Sequence, residues 1–205
     1  MIFDNHDSRI RFFDLFLHRE DLENIPDNPL PAGYRFVFYQ PGDRDAWIAI
    51  ELSARELTSY EQGVDVWRRY YGHVEHLLHE RMLFIEDQAG EKVATATAFW
   101  DESLAPELGQ VHWVAVKRTH QGRGLARPLI SRVLQLMKQR GHSRAMLHTQ
   151  TTTWVACRLY LDFGFRPANA AESQTGWRIM RTLTDHPALS AFEKLNESEI
   201  CRSDG

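Results

Sequence analysis

Cysteine is nearly absent from this chain, with only Cys157 and Cys201 in 205 residues. Two are too few to staple a fold of this length, which excludes a disulfide-built scaffold and favours a reducing compartment. Long apolar runs are missing too: no stretch approaches the roughly 20 residues needed to span a bilayer. The opening residues, MIFDNHDSRIRFFDLFLHRE, carry Asp14 inside their only apolar run and lack the basic start and cleavage site of a leader. Nor is there an excess of positive charge, since 24 Lys plus Arg stand against 28 Asp plus Glu, a formal net charge of −4 at pH 7. A general attraction to nucleic-acid backbones or anionic lipid is thereby excluded. These absences lead to the expectation of a soluble cytoplasmic protein with neither nucleic acid nor membrane as partner.

What is present suits a globular core. Hydrophobic residues make up 43% and aromatic residues 11% of the chain, enough for one domain with trimmings rather than two full ones. Residues 10–17 read as a strand or short helix. The segment NIPDNPLPAG follows, where Pro26, Pro29 and Pro31 impose an extended connector, so residues 1–33 are expected to form an N-terminal arm. Residues 34–39 have strand composition, and residues 43–54 and 63–78 place apolar side chains at helical spacing. Residues 81–86 and 92–100 flank the turn QAGE and read as a hairpin. Next come a strand over 110–116, a helix over about 125–140 closed by Gly141, and a strand over 144–149. A second helix over about 153–162 ends at Gly164, and a last strand is expected over 176–182. This order predicts one mixed α/β domain, residues 34–183. The polar tail, 184–205, has only a weak apolar spacing at Leu189, Phe192 and Leu195.

One stretch asks for a ligand. In VAVKRTHQGRGLARPLI, residues 114–130, an apolar strand passes through a basic, glycine-containing turn into a leucine-patterned helix. Such a turn offers free backbone N–H groups at the positive end of a helix dipole, which makes an anion site. Gly122 and Gly124 remove side chains where backbone must approach a ligand, Arg118, Arg123 and Arg127 add charge, and Pro128 sits acceptably in the first helical turn. Two familiar phosphate loops fail on spacing: no Lys-Ser/Thr pair follows the glycines, and Arg127 stands where a third dinucleotide-binding glycine would be. Taken alone, such a strand-glycine-helix turn is most often just a tight connection.

Two motifs together resemble the GNAT superfamily of acyl-CoA-dependent N-acetyltransferases. Gln121, Gly124 and Ala126 match its pyrophosphate loop, Gln/Arg-x-x-Gly-x-Gly/Ala. The stretch TTTWVACRLYLDFGF is similar to its second signature, with Ala156, Leu159, Tyr160, Gly164 and Phe165 in register and Thr153 where the family often has Asn. The resemblance covers roughly residues 110–165. It implies the GNAT fold, a mixed central sheet flanked by helices and split near its centre, with an N-terminal arm and a short C-terminal tail, and transfer of an acetyl group from acetyl-CoA to a primary amine of a small molecule or a peptide. It further implies that Gln121, Gly122, Arg123, Gly124, Leu125, Ala126 and Arg127 hold the CoA pyrophosphate. The backbone of Val114, Ala115 and Val116, together with Thr153, would hold the pantetheine arm, the Val114 N–H serving as oxyanion donor. The alternative from another class is a non-catalytic acyl-CoA sensor or interaction domain.

Acyl transfer to an amine requires a base for the ammonium and an acid for the departing thiolate. Tyr160 is the expected acid, since a phenol near pKa ~10 can protonate a thiolate whose conjugate acid is near ~8.5; otherwise it belongs to a buried stripe with Ala156, Leu159 and Phe163. His112 is the expected base, on the strand beside the thioester and at a position where aralkylamine acetyltransferases carry a histidine; the other reading is a hydrogen-bonded core histidine. Alternation puts Gln110, His112, Val114 and Val116 on one sheet face and Trp113 and Ala115 on the other. Glu51, Glu56 and Glu61 are alternative bases or ammonium partners, and Tyr60, Trp67, Tyr70 and Tyr71 wall an acceptor pocket or belong to the core. His73, His76 and Glu80 share a helical face, explained by a solvated flank, so no metal is expected. Cys157 reads as a small buried filler. Acceptor identity, acyl chain length and oligomeric state, a homodimer included, stay open.

Overall fold

The computed structural model describes residues 6–168 and 170–201. In chain order the elements are strand β1 (Asp14–Arg19), β2 (Arg35–Phe38), helices α1 (Arg44–Ala54) and α2 (Tyr60–Tyr70), a 3-10 turn (Glu75–Glu80), and strands β3 (Met82–Glu86), β4 (Lys92–Phe99) and β5 (Leu108–Val116). A second 3-10 turn (Arg118–His120) leads to α3 (Ala126–Gln139), β6 (Arg144–Gln150), a turn over Thr151–Thr153, α4 (Trp154–Asp162), β7 (Arg166–Pro167), α5 (Gln174–Thr184), a turn over Pro187–Leu189, and α6 (Glu197–Ile200). Among the described residues no helix is long and apolar enough to cross a membrane.

By contact density the chain divides into two compact units, Leu22–Ala145 and the combination of Met1–Asp21 with Met146–Gly205. In the first, β2, β3, β4 and β5 follow one another as antiparallel neighbours. The Pro-rich connector carries no regular element from residue 25 to 31, as its fixed φ angles and missing N–H donors require. Helix α2 begins where the Ser59 hydroxyl accepts the Gln62 N–H at 3.2 Å, a standard N-cap. It stops at Tyr70, so the expected single helix over 63–78 is two pieces, and His73 and His76 do not continue one face with Glu80. Trp47, Ile48, Ile50, Trp67, Tyr71, Leu78 and Phe84 form the core against which α1 and α2 pack.

In the second unit β1 pairs antiparallel with β7, Leu17 opposite Pro167 and His18 opposite Arg166. Leu15 and Leu17 are fully buried, which at about 1.5–3 kcal/mol per buried aliphatic side chain ties this strand down firmly. The strand expected over 176–182 is instead part of helix α5. Trp177 and Ile179 mimic a period of two, but Gly176, Trp177, Ile179, Met180 and Thr184 are the residues that go inside, a helical stripe. Gly176 permits the close approach, because a Cβ there would lie 2.9 Å from Phe13 Cβ and 3.0 Å from Leu15 Cδ2. The tail is packed as well: Leu195 and Ile200 join Ile10 and Ile179 in one apolar cluster, and Asn196 with Glu199 forms a capping box at α6.

Candidate active site

The glycine turn takes the form that its sequence demands. After β5 the 3-10 turn closes through the His120 N–H on the Lys117 carbonyl at 2.8 Å, and the Gln121 side-chain amide reaches back to donate to the Val116 carbonyl at 3.1 Å. Gly122 and Gly124 adopt φ values of +74° and +78°, the left-handed region where a Cβ is costly. A Cβ on Gly124 would meet only Pro31 Cγ at 3.8 Å, and one on Gly122 nothing within 4 Å. Backbone conformation therefore requires these glycines, while the space beside them is open to a ligand. Helix α3 starts at Ala126 with no side-chain cap at Leu125 and no acidic residue in its first turn, so its N–H end retains the positive pole of the dipole. Leu125 is buried and anchors the turn, whereas Gln121, Gly122, Arg123, Gly124 and Arg127 are exposed. Arg123 donates to the Tyr34 hydroxyl at 3.3 Å.

Strand β5 carries an irregularity that simple alternation misses. Thr97 of β4 stands opposite His112 and Thr95 opposite Ala115, so two steps on β4 face three on β5. The extra residue is a β-bulge, marked by Trp113 at φ +48°. His112 and Ala115 consequently share the face of Thr95 and Thr97, and the expected grouping of His112 with Val114 and Val116 against Ala115 is corrected. The bulge also leaves Trp113 and Val114 without register partners on β4.

His112 is buried among rings, with centroids of Phe99 at 4.6 Å, Tyr70 at 5.0 Å and Tyr71 at 5.6 Å. Its Nδ1 lies 3.1 Å from the Tyr71 hydroxyl, which lies 3.1 Å from Thr97 Oγ1. Tyr71 is fully buried, and burial pushes its phenol well above the ordinary range. Of the aromatic residues that could wall a pocket, Trp67 and Tyr71 are core, while Tyr60 is exposed and donates to Asp45 at 2.9 Å.

The three alternative carboxylates differ sharply. Glu61 is exposed in the first turn of α2, where hydrogen bonds from its own backbone and from Ser59 hold it below the usual range. Glu56 is half-buried. Glu51 is wholly buried on α1 with no hydrogen-bond partner at either oxygen, and burial, then the charge of Glu56, pushes its carboxyl well above the usual range. It is therefore held as the neutral acid. Its folded pKa exceeds its unfolded one, so the stability it contributes is complete below the ordinary carboxylate range and is lost as pH rises through the folded value. Glu51→Gln removes that loss. Each unit of elevation is worth about 1.4 kcal/mol, and 1 kcal/mol moves Tm by roughly 2–4 °C in a chain of this size. The variant's Tm relative to the natural protein should thus be several degrees more favourable at pH 8 than at pH 4. An equal offset at both pH values, read by thermal melts, would show that Glu51 titrates normally.

In the second unit the turn between β6 and α4 is built from threonines. The Thr151 hydroxyl donates to the Arg11 carbonyl at 2.6 Å and accepts the Phe13 N–H at 3.0 Å. Thr153 lies buried with its hydroxyl 3.0 Å from both Thr149 Oγ1 and the Gln150 carbonyl, so its polar group is engaged inside the turn. On α4, Cys157, Tyr160 and Leu161 face inward. Tyr160 meets Phe165 edge-on at 6.1 Å. Arg19 donates to the Phe163 carbonyl at 2.5 Å and to the Asp21 carbonyl at 2.7 Å, securing the end of α4. Burial raises the Cys157 thiol far above its ordinary value, which makes it a filler and no nucleophile. Sequence reasoning did not single out Thr97 or the hydrogen-bonding role of Tyr71. A threonine within an apolar strand carries no local signal of its partner.

The family description "Acetyltransferase (GNAT) family" matches residues 45–165. N-acetyltransferase 8B of Mus musculus is 26% identical over 132 residues, covering 63% of this chain and 54% of its own. Mycothiol acetyltransferase of Beutenbergia cavernae is 30% identical over 154 residues, covering 72% of this chain and 50% of its own. Among solved structures, a GCN5-related N-acetyltransferase from Sphaerobacter thermophilus superposes with a TM-score of 0.62 at 22% identity, covering 78% of this chain and 49% of that one. The chain spans about half the length of these curated relatives. The structural likeness shows the fold, and the family match extends over more than half of the residues, including β5, the glycine turn, α3 and α4: the chain belongs to the GNAT acetyltransferase family.

Proposed function

We propose that this protein moves an acetyl group from acetyl-CoA to a primary amine by direct attack, with no acyl-enzyme. The observation that carries this reading is the left-handed double-glycine turn at the uncapped start of α3, directly after a bulged strand. Such a turn is a cradle for an anion, and the arginines Arg123 and Arg127 suit a pyrophosphate. Acetyl-CoA supplies the activated thioester. The residues Gln121 to Arg127 hold its pyrophosphate, and the backbone of Val114, Ala115 and Val116 holds the pantetheine arm. The Val114 N–H, without a register partner on β4, is the donor for the charge that develops on the carbonyl oxygen. His112 takes the proton that the ammonium must lose, and Tyr160, assigned from its place in the second motif, returns one to the thiolate. The acceptor is a primary amine whose carrier, small molecule or peptide, is the next quantity to measure; one relative bears the name mycothiol acetyltransferase.

The test is release of free thiol from acetyl-CoA across a panel of small and peptide amines. Amine-dependent release is expected, and binding of acetyl-CoA without turnover on any amine would make the protein a sensor instead. His112→Gln should lower the rate most at pH values below the acceptor's own pKa, where deprotonation limits the reaction, and the defect should shrink as pH rises. A pH profile with the natural protein's shape would move the base elsewhere.

A further inference from the structure

The proline-rich connector runs beside the glycine turn. Ser131 of α3, itself buried, donates to the Pro26 carbonyl at 2.7 Å and accepts the Asn28 side-chain amide at 2.9 Å, and Lys138 reaches Glu23 at 2.6 Å. These contacts pin the segment to the helix. Further on, Pro31 Cγ lies 3.8 Å from where a Cβ of Gly124 would stand, and Gly33, at φ +88°, passes so close to Gln88 that a Cβ would lie 2.8 Å from its Nε2. The connector thus delivers Tyr34 to one place. There its hydroxyl accepts the Arg123 guanidinium at 3.3 Å, and its ring meets His120 edge-on at 6.2 Å. We propose that Tyr34 and Arg123 form a subsite for the 3′-phosphate of CoA, so that the protein distinguishes CoA from its 3′-dephospho form. The inference rests on the reading of the glycine turn as the pyrophosphate cradle.

A phenol that accepts from a guanidinium keeps its own proton to give elsewhere. Arg123 is exposed and Tyr34 half-buried, and among the described residues the acceptor given to Arg123 is that neutral hydroxyl and not a carboxylate. The pair therefore presents an uncompensated positive charge, several N–H donors and one O–H donor. Asp87, whose carboxylate lies 3.6 Å from His120, is occupied by the N–H groups of Ala89 and Glu91 at 2.9 and 3.0 Å. A donor set of this kind suits a phosphate, and a phosphomonoester carries about −1.5 to −2 charges at pH 7. The planar fork of Arg123 can offer it two parallel N–H groups. Position agrees with the chemistry. CoA bears its phosphomonoester on the ribose, beyond the pyrophosphate and at the end remote from the thioester. With the thioester at the bulge of β5 and the pyrophosphate on the turn, the nucleotide end continues past the turn to its flank. Arg123 belongs to the turn itself, and Tyr34 ties its guanidinium to the connector on that flank.

Calorimetric titration with CoA and with 3′-dephospho-CoA, at one low salt concentration, reads the subsite as a ratio of affinities. The natural protein should bind CoA about 10-fold or more tightly than the dephospho form, the usual worth of hydrogen bonds between charged groups. Arg123→Met keeps the length of the side chain and removes its charge, so the ratio should fall close to one. Tyr34→Phe keeps the ring and removes the hydroxyl that orients the guanidinium, so the ratio should fall about 3-fold or more with the melting temperature unchanged. Gly124→Val should weaken both ligands alike and leave the ratio standing, which separates the subsite from the cradle. Equal affinity of the natural protein for the two ligands overturns the proposal. So does an Arg123→Met protein that loses affinity for both in equal measure, since its guanidinium then serves the pyrophosphate. A ratio unmoved by Tyr34→Phe would overturn the part given to Tyr34, and a Gly124→Val protein that binds both ligands as the natural one does would instead overturn the reading of the turn.

Discussion

Gly124→Val is expected to weaken acetyl-CoA binding by about 100-fold or more, with the fold retained. The cause is twofold. At φ +78° a β-branched residue is strained by roughly 1–3 kcal/mol, so the turn shifts toward conformations in which its N–H groups no longer converge. Where the turn holds its shape, the valine methyl groups occupy the space that lies open beside Gly124, whose Cβ would meet only Pro31 Cγ at 3.8 Å, and a ligand is then held off the backbone. The loss should appear in calorimetric titration with acetyl-CoA and equally with CoA, since both carry the pyrophosphate. A folded Gly124→Val protein with unchanged affinity would remove residues 121–127 from the binding site.

Tyr160→Phe is expected to lower turnover on the order of 10²-fold at saturating substrates, as loss of a general acid does. Tyr160 is buried at the edge of Phe165, and the substitution keeps the ring that makes this contact. Melting temperature and acetyl-CoA affinity should therefore stay close to those of the natural protein. The defect should also shrink with an acyl donor whose thiol is more acidic, because such a thiolate departs with less protonation. Undiminished turnover, or an equal loss with both donors, would return Tyr160 to the role of a packing residue of α4.

Both variants test residues that stand in short, contiguous motifs, and that is why they were accessible from the chain alone. A left-handed turn needs glycine at particular positions, a helix start needs an unencumbered N–H end, and both demands are local; the Gln121 to Arg127 turn and its helix were foreseen for that reason. The same holds for the hairpin of β3 and β4 and for α4. Locality also explains the error at α5, where Trp177 and Ile179 fit a period of two and only the close approach of Gly176 to Phe13 and Leu15, with Met180 buried on the same helix, decides for helix.

What the sequence determined by itself was the family, the α/β character of the chain, and the glycine turn that leads into α3, because each rests on backbone preferences and spacings within about a dozen residues. Tertiary structure alone decided the surroundings of His112. The bulge at Trp113 arises from pairing with β4, and the hydroxyl chain joins residues 26 and 41 positions apart. Tertiary structure likewise decided which glutamate is a neutral buried acid, since the preference of Glu51 for its proton comes from desolvation between packed elements. Spacing along the chain carries no record of which side chains will lose their water.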